Sequence, residues 1–264
     1  MPNYYIENAE KWKALANIDY FTYFVKAWIP FNAWYRNNYP ALESDAEIMQ
    51  QIKTQHNSFR NRIVSLIENP ETYNESKVFK ANLAELHYQL ERNHIHNRGV
   101  RISFTNIVVE ENTQILATRM YRKFSYKVEI DTGNKKRITS NIIDGKSVTR
   151  LNIIQNSGYR LDEVTNDPQY KALPPECQGI LKVCYEEVNP RKAISLLATE
   201  DSDSIKIGNY NFRNDSELIA KAIVTVIYNL RNSLFHGQLV PDRNTQLVYE
   251  PAYHILRMLV MSLS

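Results

Sequence analysis

In Tyr228-Asn229-Leu230-Arg231-Asn232-Ser233-Leu234-Phe235-His236-Gly237 an apolar run ends in an arginine, an asparagine, a histidine and a glycine. Histidine titrates near neutrality and can give or take a proton, whereas arginine keeps its charge and can hold a phosphate through two parallel hydrogen bonds. Asn232 and His236 are four apart, so on a helix they share a face in adjacent turns, where the amide can orient the imidazole. Arg231 then stands about 100° round the same helix. The set suits phosphodiester chemistry without a metal. A competing reading is a helix C-terminus whose cationic side chains complement the dipole and bond the last carbonyls.

Two other groups of chemically capable residues carry less. His87, His94 and His96 cluster near the end of one helical segment, but Arg92 and Arg98 flank the last two and no acid adjoins them, so solvated or backbone-bonded histidines are expected and no metal site. Cys177 and Cys184 are seven apart, two turns of a helix, too far for a disulfide, and are expected as small buried apolar residues.

Charge is unevenly distributed. The whole chain carries a net charge of +3, yet residues 98–160 hold twelve Lys or Arg against five Asp or Glu, which leaves the remainder acidic. Within that stretch, alternation along Arg119 to Glu129 puts Arg119, Tyr121, Lys123 and Lys127 on one face of a strand and Met120, Phe124, Tyr126 and Val128 on the other. With Lys135, Lys136 and Arg137 they form a candidate nucleic-acid surface, in which cations meet phosphates and an exposed tyrosine stacks on a base. A solvated sheet face guarding its edges with Lys and Arg gives the same pattern.

The elements that must position these residues read as follows. Tyr20, Phe24, Trp28, Phe31 and Tyr35 recur at helical spacing between Asn17 and Tyr39, with Pro30 expected to kink or divide that helix. Ser44-Asp45-Ala46-Glu47 has the form of a capping box opening a second helix to about Glu68, and a third runs from Asn74 to about Asn93. After Gly99, five runs rich in Ile, Val, Thr and aromatics (101–109, 115–121, 122–130, 137–143 and 147–154) are punctuated by turn signals, which predicts antiparallel hairpins. Helices then follow at about 174–187 and 190–199, with a solvated acidic loop at 200–203. The long apolar helix ending at Gly237 comes next, then a last one from about Leu247 to Leu263.

The expected fold is therefore α+β, mainly a helical bundle with a small antiparallel β-meander inserted. Its parts are a helical segment 1–99, a basic β-rich insert 100–161 and a helical segment 162–264 carrying the Arg231 to His236 motif. No stretch approaches the roughly 20 apolar residues of a membrane helix, and Met1 to Lys13 is too polar for a signal peptide. A cytoplasmic protein without a membrane partner is expected, with no cofactor.

Arg231-Asn232-Ser233-Leu234-Phe235-His236 resembles the R-x4-6-H motif of HEPN (higher eukaryotes and prokaryotes nucleotide-binding) domains. The flanking Leu230 and Gly237, the later helix, and Trp28-Ile29-Pro30-Phe31-Asn32-Ala33-Trp34-Tyr35 look like a large bacterial HEPN-like protein. The resemblance implies a helical domain that pairs with a second copy so that two motifs face one another across a cleft. It also implies metal-independent endoribonuclease activity, with 2′-hydroxyl attack leaving a 2′,3′-cyclic phosphate. His236 would be acid or base, Arg231 the phosphate clamp and Asn232 an orienting or RNA-contacting group. Many such proteins are toxins or antiphage effectors, so a cognate antitoxin or defence-system partner is implied too. The alternative is a catalytically silent HEPN-like module that dimerises or binds nucleotide or RNA. The resemblance does not extend to the β insert.

Overall fold

The computed structural model describes residues 19–199 and 203–263. It divides into two compact units, one formed by Met1–Val109 with Ile194–Ser264 and the other by Glu110–Ala193. The fold is α+β, with small antiparallel sheets.

The first unit opens with α1 (Tyr20–Asn38), whose N-cap Asp19 accepts from the backbone of Phe21 and Thr22. Phe24, Trp28, Phe31 and Tyr35 are buried, as their spacing requires. Pro30 does not divide the helix: it lies on the exposed side, where the freed carbonyl can reach water. The helix expected from Ser44 to Glu68 is two, α2 (Asp45–Thr54) and α3 (Ser58–Glu68). Asn57 makes the break by capping α3 through Arg60 N while its amide donates to Ile52 O and Gln55 O. After α4 (Asn74–Arg92) the chain makes a tight hairpin of β1 (His96–Asn97) and β2 (Val100–Arg101).

The second unit is a meander of β3 (Leu116–Tyr121), β4 (Phe124–Ile130), β5 (Ile138–Ile143) and β6 (Thr149–Gln155), followed by α5 (Leu161–Asn166), α6 (Pro168–Lys171) and α7 (Pro175–Glu187). The unit is larger than the expected insert 100–161 and starts later. The reason is burial: Leu181, Cys184, Tyr185 and Val188 of α7 and its exit share one apolar core with Tyr126, Val128, Leu151 and Ile153 of the sheet. Cys184 is buried, Cys177 half-buried, and both are free thiols.

Back in the first unit, the expected strand 101–109 and helix 190–199 are both replaced by extended segments that bond each other, through Ile107 with Ile194 and Leu196 N to Phe104 O. A hairpin of β7 (Ser204–Ile207) and β8 (Tyr210–Arg213) follows; of the predicted acidic loop, residues 200–202 lie outside those described. The chain ends with α8 (Ser216–Phe235), capped by Asp215, and α9 (Arg243–Val260), which starts four residues before the expected Leu247 because Asp242 caps it through Thr245 N. One core joins α1, α2, α3, α4, α8 and α9. Among the described residues no helix is long and apolar enough to cross a membrane.

Candidate active site at the end of α8

Ile219, Ala222, Ile223, Val226, Ile227 and Leu230 of α8 are all buried. Burying each of the Ile, Val and Leu side chains stabilises by about 1.5–3 kcal/mol relative to exposure, so about three turns anchor the helix before its polar end emerges. The buried hydroxyl of Tyr249 on α9 donates to Leu230 O at 2.7 Å and ties α9 to α8 one turn before its end. Gly237 takes a φ of +61°, with Gly237 N bonded to Leu234 O and Gln238 N to Ser233 O. That pair of bonds is a Schellman closure about His236 as C-cap, and it requires the left-handed residue at position 237.

Arg231 is recessed rather than projecting, with its side chain 22% exposed. Its guanidinium lies 4.7 Å from the centre of the Phe235 ring and 5.6 Å from that of Trp28. Nη1 donates to Asn232 Oδ1 at 2.9 Å, and Nη2 stands 3.4 Å from Asp45 Oδ2. Asp45 also pairs with Arg36, so two guanidinium groups share one carboxylate and leave an excess of positive charge. Tyr35 sits beside the same carboxylate, and burial first, then that negative charge, push its phenol well above the ordinary tyrosine range.

His236 is exposed at the helix end, while Asn232, four residues earlier, is buried. The expected Asn232 to His236 hydrogen bond is not made. Instead the amide oxygen faces Arg231, because the arginine is folded back between Trp28 and Phe235. Asn232 thus orients the arginine and leaves the imidazole to solvent.

The β1–β2 hairpin is latched to this helix end, a feature the sequence reading missed. Asn97 Nδ2 donates to Asn229 Oδ1 at 2.9 Å, Ser233 Oγ to His96 O at 2.6 Å, and Arg98 N to Gln238 Oε1 at 2.9 Å. Asp45, Trp28 and Arg36 were likewise missed as site residues. Asp45 was legible only as part of the capping box, which does form: Ser44 Oγ accepts from Glu47 N and the Glu47 carboxylate from Ser44 N. Of the later polar residues, Glu250 accepts from Tyr20 OH at 2.7 Å and His254 packs edge-on to Tyr20, so both belong to the start of α1.

The histidines divide. His94 and His96 are exposed, as expected, but His87 is 2% exposed, its ring edge-on to Tyr210 at 4.4 Å and near Phe104 and Phe212. Burial pushes its imidazole below the ordinary value, against the opposing pull of Glu91. Among the described residues no group of three or more His, Cys, Asp or Glu is placed to hold a metal.

In the second unit the expected basic face is broken up. Arg122 and Lys123 form the two-residue β3–β4 turn, with φ of +47° and +72°, so alternation does not run through from Arg119 to Glu129. Arg119 instead pairs across from Tyr126 and reaches Glu187 of α7, and Tyr121 donates to Glu176 at 2.8 Å. Both therefore lie on the helix-covered side. Lys127 is on the opposite face beside Glu129 at 2.6 Å, and Lys135 is 3.8 Å from Glu111. Lys135, Lys136 and Arg137 occupy the β4–β5 connection, at the other end of the strands from Lys123.

Compared with family models, curated proteins and solved structures, the chain gives no match in any of the three.

Proposed function

We propose that the chain is a metal-independent endoribonuclease of HEPN type whose site is the end of α8. The observation that carries this is the pairing of an exposed, unencumbered imidazole, His236, with a recessed guanidinium, Arg231, on one rigidly anchored helix end. The positive excess of Arg36 and Arg231 over Asp45 attracts a phosphodiester. In the reaction, the ribose 2′-oxygen attacks the adjacent phosphorus as its proton passes to a base. The P–O5′ bond breaks and the 5′-oxygen leaves with a proton, giving a 2′,3′-cyclic phosphate and a 5′-hydroxyl. His236 acts as acid or base and Arg231 stabilises the charge that builds on phosphorus oxygens. The complementary half comes from a second copy of the chain in a homodimer, and the helical elements of the first unit are the HEPN-like bundle. A toxin or antiphage role in the cytoplasm, with a cognate partner, follows from the same resemblance.

A second reading, a silent RNA- or nucleotide-binding module, is favoured by one feature: Arg231 already has Asn232, Asp45, Trp28 and Phe235 as partners. Asp45 competes with a phosphate for the same guanidinium. The deciding experiment incubates purified protein with total RNA in EDTA beside Arg231→Ala and His236→Ala. Cleavage to cyclic-phosphate ends by the wild type alone supports the ribonuclease; intact RNA with retained binding supports the silent module.

A further inference from the structure

Arg98 is the first of two residues in the β1–β2 turn, with a φ of +51°, followed by Gly99 at +77°. Such turns favour Asn, Asp or Gly at both positions, because a side chain with a bulky Cβ substituent is strained where φ is positive. An arginine there runs against local preference, and residues held in such conformations concentrate at functional sites. The second observation is position. The three hydrogen bonds from His96, Asn97 and Arg98 to Ser233, Asn229 and Gln238 fix the turn against the end of α8, and Gln238 is two residues beyond His236. The third is charge. Arg98 is exposed and makes no ion pair among the described residues, unlike Arg36, Arg101 and Arg231.

We infer that Arg98 is a substrate-binding residue of this site, holding a phosphate of single-stranded RNA next to the phosphodiester that Arg231 and His236 address. The inference rests on the ribonuclease reading for the identity of the chain bound. The strained turn presents the guanidinium, the latch to Asn229, Ser233 and Gln238 keeps it in register with the helix end, and the absence of an acidic partner leaves it available. Its contact is to the backbone, so it sets affinity and register without reading bases.

The test is binding of a fluorescent single-stranded 2′-O-methyl RNA, which lacks the attacking hydroxyl, measured by anisotropy in EDTA from 50 to 200 mM salt. Arg98→Asn removes the charge and suits the left-handed turn. It is expected to weaken binding about tenfold and to lower the log–log salt slope by about 0.7, the value for one phosphate contact on a single strand. Arg98→Lys should retain the slope, Lys77→Asn on the exposed side of α4 should change neither, and Arg98→Asn should melt no lower than wild type. Unchanged affinity and slope in Arg98→Asn overturn the inference even where wild type cleaves RNA. A lower melting temperature with equal loss in the Asn and Lys variants also overturns it, by making Arg98 a structural residue of the turn. Wild type that fails to cut RNA, with Arg98→Asn still weakening binding, overturns the ribonuclease and leaves the contact standing.

Discussion

Asp45 Oδ2 lies 3.4 Å from Nη2 of Arg231, and the two charges come from helices α2 and α8. The same carboxylate pairs with Arg36, so the residue that holds the arginine in place is also the anion that competes with a phosphate for it.

Asp45→Asn is therefore expected to tighten binding of single-stranded RNA several-fold while lowering stability by about 1 kcal/mol, the order expected for one partly exposed ion pair. Anisotropy titration and urea denaturation read the two effects on one preparation. Weaker RNA binding would mean that Asp45 chiefly positions Arg231.

Arg231→Lys keeps the charge but loses the bond to Asn232 Oδ1 and the stacking between Trp28 and Phe235. Removing one preorganised donor to a developing anion typically lowers turnover about 100-fold, and that loss in kcat is expected here with little change in KM. A variant with wild-type kcat would remove Arg231 from the chemistry.

Gly208, in the turn between β7 and β8, has a φ of +58°, and a Cβ there would come within 2.6 Å of Ala84 Cβ on α4. Gly208→Ala combines a strained backbone with a collision against packed helix and is expected to cost about 2–3 kcal/mol. Adding Ala84→Gly should recover the steric part only. A double-mutant cycle in urea measures the difference.

His87 and Glu91 titrate in different windows. The folded imidazole lies below its unfolded value, so the unfolded chain binds the extra proton first. Stability from this site is complete above about pH 6.5 and falls as pH drops below that value. Glu91 is also held below its ordinary value: burial raises it, but hydrogen bonds from Ser103 and Thr105 and the Arg101 charge outweigh that. Its contribution is lost only as pH falls below about 4.3. The melting temperature of wild type should fall relative to that of His87→Phe between pH 7 and 5. Parallel curves would refute the buried-neutral assignment.

Arg119→Ala should leave RNA binding unaltered and lower the melting temperature, because its guanidinium is committed to Glu187 on α7. Loss of RNA affinity instead would return Arg119 to the nucleic-acid surface.

What the sequence determined by itself is mostly local. Apolar spacing specified α1, α4, α7 and α8, with Pro175 marking the start of α7 and Asp215 that of α8, and the positive φ demanded of Gly237 was readable because a helix end leaves carbonyls that only a left-handed residue closes well. The β-meander was legible from its β-rich runs and the turn signals between them. The β7–β8 hairpin was readable too, from Gly208-Asn209 between Ser204–Ile207 and Tyr210–Arg213, but was missed. The break at Asn57 and the turn at Arg122-Lys123 were hidden, since the first depends on one side chain capping two helices and the second on residues that seldom form such turns. Tertiary structure alone decided the surroundings of the α8 end. Trp28, Asp45 and the His96 to Arg98 hairpin come from distant parts of the chain, and an ion pair or a latch between distant segments leaves no periodicity for a single sequence to display.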